Sequence, residues 1–332
     1  MRRALCAICG LALICPAAAS ADGLPVTGID VGPSGVTTET SAARFVALPA
    51  GDSRTLVARV RRRGGQVLRS RLLRGSFTVP AVALDGTPSG LSANRGTLVL
   101  IRPRARFPQG RTTFAVLDAR KLRLREVVTL RGDFSFDALS PDGRTMYLIE
   151  YTSRRDPTRY AVREYDLDSF QLLPAPVVDP REPDERMRGM PITRATSRDG
   201  RWEYTLYDGA GSYPFVHALD TVRAEALCID LDTLTGHLRL YELRLRLARG
   251  DLRVMDGREP VALIDRATHR VRAPAAARPV RRSRATDGGG GPQLIALAAG
   301  VAALMLAAVV VRKKKAPAAT PRGPEVNRGA EI

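Results

Sequence analysis

Three histidines, four cysteines, eight tyrosines and one tryptophan are the side chains of this 332-residue chain best suited to proton transfer, metal ligation, nucleophilic attack or stacking. His217, His237 and His269 never fall within four residues of one another, so the spacing of a helical zinc site is missing. No Gly-x-Ser-x-Gly elbow and no Gly-x-x-x-x-Gly-Lys phosphate loop occurs. Gly288 to Gly291 lacks the preceding strand that a dinucleotide loop requires. The acidic stretch Asp179 to Glu185 is interrupted by prolines and arginines and reads as a solvated loop, with calcium ligation as the second reading. The residues therefore assign no catalytic group, no metal ligand and no cofactor. One aromatic segment, Trp202 to Phe215, stands apart. Alternation of Trp202, Tyr204 and Leu206 fits the buried face of a strand, while Tyr207, Asp208 and Tyr213 around the turn Asp208 to Ser212 are the candidate binding surface, since loops usually carry ligands.

The ends of the chain suggest an address. Met1 to Ala21 has a basic start at Arg2 and Arg3, an apolar middle from Leu5 to Ile14 and the small-x-small site Ala19-Ser20-Ala21, the pattern of a cleaved secretory signal. Leu294 to Val311 is a run of 18 apolar or small residues, about the minimum for a membrane-spanning helix. Arg312, Lys313, Lys314 and Lys315 follow at once, and the positive-inside rule then places residues 312–332 in the cytoplasm. The expected order is a signal at 1–21, an extracytoplasmic domain at 22–271, an Ala/Pro/Arg/Gly-rich stalk at 272–293, the span at 294–311 and the tail. The protein is thus expected in the cell membrane as a single-pass protein, its N-terminal domain outside. Cys6, Cys9 and Cys15 would leave with the signal, and Cys228 alone supports neither an intramolecular disulfide nor a thiolate metal site. In Ala226-Leu227-Cys228-Ile229 it reads as a core residue.

The formal net charge of +18 shrinks once it is located. Forty-eight of the 52 basic residues are arginines, a bias that fits a GC-rich bacterial genome. Between Asp22 and Val271 stand 39 basic and 31 acidic residues, a surplus of only eight. Nucleic acid is therefore not expected as a partner outside the cell, whereas anionic envelope polymers and lipid head groups fit. In the stalk, Arg278, Arg281, Arg282 and Arg284 are the candidate lipid contacts.

Between the ends, short β-type runs such as Thr97-Leu98-Val99-Leu100-Ile101 and Phe114-Ala115-Val116-Leu117 are broken by turn residues, and no long helical period is kept. Three markers recur in the same order. Leu73-Arg74-Gly75-Ser76-Phe77 returns as Leu130-Arg131-Gly132-Asp133-Phe134 and as Met187-Arg188-Gly189, with the glycines 57 residues apart each time. Downstream come Leu91-Ser92-Ala93-Asn94-Arg95-Gly96, Leu139-Ser140-Pro141-Asp142-Gly143 and Thr196-Ser197-Arg198-Asp199-Gly200, each a turn in which Asx bonding and positive φ are expected. Asp118, Asp166 and Asp220 then close a further strand, where a carboxylate accepts from backbone N–H groups two residues on. Weaker copies are read at Ile229 to Gly236 and at Val261 to Thr268.

Ser140-Pro141-Asp142-Gly143-Arg144-Thr145-Met146-Tyr147 resembles the Ser-Pro-Asp-Gly turn and following strand of YVTN and WD40-like β-propeller blades. The other two copies lack the proline. The resemblance runs from Phe45 to Val271 and implies an all-β propeller of roughly five or more blades, in a complete or incomplete ring, joined to one C-terminal transmembrane helix. A β-sandwich is the alternative fold. The expected function is a binding or scaffolding module at the cell surface, for an envelope component or a partner protein. The alternative is a hydrolase-type propeller enzyme with its site at the channel mouth, because such propellers host both.

Overall fold

The structure, a computed structural model, describes residues 35–184 and 186–274. The expected signal, transmembrane span, tail and lipid-contacting arginines lie outside these residues. Among the described residues there is no α-helix, and none is long and apolar enough to cross a membrane.

Eighteen strands form five successive antiparallel sheets, each built from neighbours in sequence. The first holds β1 (Ala43–Pro49), β2 (Arg54–Arg61) and β3 (Val67–Arg74), and the second β4 (Thr97–Ile101), β5 (Arg111–Asp118) and β6 (Arg123–Arg131). The third holds β7 (Phe134–Leu139), β8 (Thr145–Tyr151), β9 (Tyr160–Asp166) and β10 (Gln171–Val177). The fourth holds β11 (Pro191–Thr196), β12 (Trp202–Tyr207), β13 (Phe215–Asp220) and β14 (Glu225–Asp230). The fifth holds β15 (Arg244–Leu247), β16 (Asp251–Asp256), β17 (Glu259–Asp265) and β18 (Val271–Arg272). The two three-stranded sheets gain a short first strand through bridges, Val36 to Phe45 in one and Thr78 to Ile101 with Leu91 to Leu98 in the other. Five four-stranded meanders give a propeller-like, all-β arrangement, not the two sheets of a sandwich.

Apolar residues on both faces of the middle strands glue each blade to the next. Phe45, Val57 and Phe77 pack with Leu98, Leu100 and Leu117 between blades one and two, and Val99, Phe114 and Val116 with Phe134, Phe136 and Leu148 between two and three. Tyr147, Tyr160 and Val162 meet Tyr207, Phe215 and Leu219 between three and four, and Tyr204, Leu206 and Val216 meet Leu243, Leu252 and Val254 between four and five. Such two-sided burial explains why β4 reads as a continuous apolar run, and why Ser135 and Asp137 of β7 are buried along with its apolar residues.

The repeated markers fall at three recurring joints. Gly75, Gly132 and Gly189 link one blade to the next, with φ of 102°, 114° and 139°. Two of these joints share a side-chain clamp: Thr55 Oγ1 donates to Gly75 O and accepts from Phe77 N at 2.8 Å, and Thr112 Oγ1 serves Gly132 O and Phe134 N in the same way. The second marker turns the first strand into the next, as Ser92, Ser140 and Ser197 donate to Asn94, Asp142 and Asp199 at 2.6 to 2.7 Å and accept a backbone N–H five residues on. Gly143 is fixed here by sterics, since a Cβ at its φ of 73° would lie 2.5 Å from Thr97 Oγ1 of the neighbouring blade. At the third joint Asp118, Asp166 and Asp220 accept from the N–H groups two and three residues on. Asp265 does the same with Ala267 and Thr268, making Val261 to Thr268 a true copy. The copy read at Ile229 to Gly236 is corrected: its residues Asp232 to Leu234 form a short 3-10 turn that leads into the fifth blade, because Leu231 and Leu234 are drawn into the core between blades four and five.

Candidate functional site

A hairpin from Pro80 to Gly90, closed by the Ala81 to Pro88 bridge, reaches from the second blade to the fourth and fifth. Leu84 N donates to Pro191 O at 2.9 Å and Asp85 N to Ile192 O at 3.2 Å, while Asp85 lies 3.7 Å from Arg244 of the fifth blade. Beside Val82 of this hairpin is a small apolar void of about 20 Å³ against Phe136, Tyr160, Met190 and Tyr207. A wider mouth, of about 200 Å³, is shared by Thr37 and Glu39, the Pro88 to Ala93 turn, Leu139, and Thr196 to Glu203.

A polar seam runs inward from that mouth between blades three and four. Strand pairing aligns Thr196 with Glu203, Arg194 with Thr205, Thr205 with His217, and His217 with Cys228, so these side chains share one blade face. Glu203 is buried and accepts from Thr196 Oγ1 at 2.6 Å. Burial pushes its carboxyl up to about 7, a rise that Arg194 and the Thr196 bond oppose. One layer deeper, the Arg194 guanidinium pairs with Asp137 Oδ1, donates to Asp137 O at 2.6 Å and reaches Thr205 Oγ1 at 2.8 Å. Both charged side chains are only 2% exposed. Asp137 Oδ2 accepts no hydrogen bond. His217 follows, its pKa pushed down to about 4 by burial, with Arg194 acting in the same direction and Asp137 against it. The imidazole is therefore neutral at pH 7. Sequence reasoning missed this seam, yet a signal existed: Asp137 and Arg194 are 57 residues apart, the glycine spacing, so the repeat itself puts opposite charges at equivalent positions of adjacent blades.

The residues singled out in the aromatic segment separate. Trp202, Tyr204 and Leu206 do pack into the core between blades four and five. Tyr207 is corrected from surface to interior: it is 2% exposed, with Phe215 and Tyr160 each stacked on it at 5.2 Å. It sits there because an aromatic face completes the apolar layer that Tyr147 and Val162 begin. Asp208 is a clamp, accepting from Met190 N at 2.7 Å, Ala210 N at 3.0 Å and Tyr241 OH at 2.7 Å. The last bond pushes the Tyr241 hydroxyl up to about 12. Tyr213 alone is open, at 53% exposure.

His237 lies 3.9 Å from Asp256, and His269 packs on Trp202 at 5.4 Å. Among the described residues no three His, Cys, Asp or Glu side chains gather as metal ligands. In the acidic stretch, Asp179 is buried and held by Arg181, Arg181 N and Cys228 N, which occupies the carboxylate that calcium would need. Cys228 is half-buried, its Sγ 3.6 Å from Met187 Sδ.

No protein-family model matches the chain, and no curated relative does. Solved structures similar to it include TolB from Acinetobacter baumannii, at 14% identity and TM-score 0.38 over 70% of this chain and 51% of that one. BamB from Moraxella catarrhalis is similar at 15% identity and TM-score 0.37, over 73% and 64%. A prolyl endopeptidase is similar at 13% identity and TM-score 0.39, over 69% of this chain and 34% of its own. The chain thus spans about half of TolB and about a third of the endopeptidase.

Proposed function

We propose that this is a membrane-anchored, extracytoplasmic propeller that binds an envelope component or a partner protein. The observation that carries the reading is the outer strand of the first blade. Val67, Leu68 and Leu72 of β3 are 58%, 41% and 47% exposed, and Leu48 beside them is 38% exposed. Among the described residues strand β3 pairs only with β2, so its other edge offers backbone donors and acceptors next to apolar side chains. Open, apolar edges invite strand addition by another chain. Of the outer strands in the other blades, β6 exposes Val127 alone among large apolar residues, at 40%, and β10 carries Pro174 and Pro176. The stalk arginines Arg278, Arg281, Arg282 and Arg284 would add contact with anionic head groups.

A photo-crosslinking residue at Val67 or Leu72, in the full chain on intact cells, is expected to give discrete adducts. The same residue at Val127 is the control and is expected to give none. Equal labelling at all three positions, or none at any, would overturn the reading. One observation favours a second reading, a hydrolase-type enzyme: Glu203 lines a pocket of about 200 Å³, and burial pushes its carboxyl up to about 7. Adducts at β3 that survive Glu203→Gln with their yield unchanged favour the binding module.

A further inference from the structure

The first blade carries a second, charged feature. Between blades one and two lies a cleft of about 650 Å³, lined by Phe45, Arg59 and Arg61 on one side and by Asn94, Arg95 and Arg120 on the other. No carboxylate lines it. None of the four guanidinium groups pairs with an acid among the described residues, although Arg59 is half-buried. Elsewhere some arginines are neutralised in place, as Arg104 by Asp133, Arg144 by Asp168, Arg163 by Glu150 and Arg201 by Asp220, and others stand singly; the cleft differs in gathering four in one lining without an acid. Asp118, the nearest acid in the chain to Arg120, is turned onto the N–H groups of Arg120 and Lys121. The first blade also concentrates charge: residues 44–74 hold nine arginines against Asp52 alone. Phe45, 2% exposed, backs the cleft with apolar surface that strengthens any charge interaction made above it.

A backbone feature independently marks the same place. In the turns of blades three and four, the third residue after the serine is Gly143 or Gly200, at φ of 73° and 75°. In blade two that position is Arg95, at φ of 57°. Positive φ alone is common in this fold, being shared by Leu122, Phe170, Ala224 and His269 in the Asp-closed turns, so what differs at Arg95 is that a long cationic side chain replaces the glycine of the other two serine-centred turns. The glycines are needed where the next turn packs tightly, Gly143 against Thr97 and Gly200 against Ala93. At Arg95 the corresponding space is the cleft itself.

The geometry points to a phosphate-binding site: four arginines from two blades line a single cleft whose lining holds no carboxylate. Guanidinium forks match the paired oxygens of a phosphate, so the ligand class is a phosphate ester or anhydride, free or in a lipid head group. Leu68 of β3 also lines the cleft, so the two features adjoin; phosphate binding reads the cleft and crosslinking at Val67 and Leu72 reads the edge, and either proposal can fail alone.

The test is calorimetric titration of the full chain in neutral detergent with two probes, pyrophosphate and monomeric dihexanoyl phosphatidylglycerol. Arg95→Gly keeps the left-handed turn in the form the other blades use. It should weaken binding roughly tenfold or more, as loss of a charge-assisted bond does. Arg59→Gln with Arg61→Gln should do the same, while Arg246→Gln with Arg253→Gln in the fifth blade leaves affinity unchanged. Binding of pyrophosphate with these losses supports a site for free phosphates, and binding of the lipid alone with the same losses supports a head-group site. Failure to bind either probe, or equal losses in the fifth-blade control, would overturn the proposal.

Discussion

Glu203→Gln is the substitution for which the structure gives the sharpest number. The folded protein holds the Glu203 proton up to about pH 7 because burial penalises the carboxylate, whereas an exposed glutamate gives it up near 4.5. A group that binds its proton more tightly when folded costs stability above its folded pKa, and the cost fades as the pH falls. At 1.36 kcal/mol for each unit of difference, the cost is about 3 kcal/mol at pH 8 and about 1 kcal/mol at pH 5. Glutamine keeps an oxygen for the Thr196 hydroxyl and has no charge to bury. The variant should therefore be more stable than the parent by up to about 3 kcal/mol at pH 8, with the advantage shrinking by about 2 kcal/mol at pH 5. His217 works in the other direction. Its pKa is pushed down to about 4 from 6.5, so its contribution is complete above pH 6.5 and is lost as the pH falls toward 4. In the parent the two effects oppose each other between pH 6.5 and 4.5, and the variant should lose stability more steeply across that window. Urea denaturation of both proteins in neutral detergent at pH 5 and pH 8 measures the difference. A stability difference independent of pH would refute the reasoning, since it would mean that Glu203 is ionised, or protonated, in both folded and unfolded chains across this range.

Thr112→Val should cost about 1 to 3 kcal/mol by leaving the buried Phe134 N–H without an acceptor, and Thr55→Val should cost the same through Phe77 N; unequal losses in parallel denaturation curves would mean that the two joints are not one device. Arg194→Met strands the Asp137 carboxylate and should cost about 3 to 5 kcal/mol, most of it recovered in Arg194→Met with Asp137→Leu. A double variant as unstable as the single one would show that the pair does more than neutralise itself.

Much of this architecture is legible in the sequence because turns and joints are local. The Asx bonds of Asp118, Asp166, Asp220 and Asp265 and the serine-centred turns at Ser92, Ser140 and Ser197 need only the residues within five positions. A period of 57 residues then separates blades without any knowledge of how they pack. The seam of Asp137, Arg194, Glu203 and His217 was hidden because its members are ordinary strand residues whose burial is set by the neighbouring blade. Tyr207 was misplaced for the same reason: a tyrosine next to a glycine turn looks exposed until Tyr160 from another blade stacks on it. The arginine cleft was concealed by arginine abundance. Only the structure brings Arg59, Arg61, Arg95 and Arg120 into the lining of one cleft with no carboxylate among them.

The central claim is that the blades stand outside the cell on an anchor whose tail lies within. It is tested most directly by adding protease to intact, wall-stripped cells that carry the full chain with an epitope after Ile332. The account predicts that residues 35–274 are degraded while a short epitope-bearing fragment, containing residues 294–332, survives until the membrane is broken. Survival of the blades with loss of the epitope would contradict it.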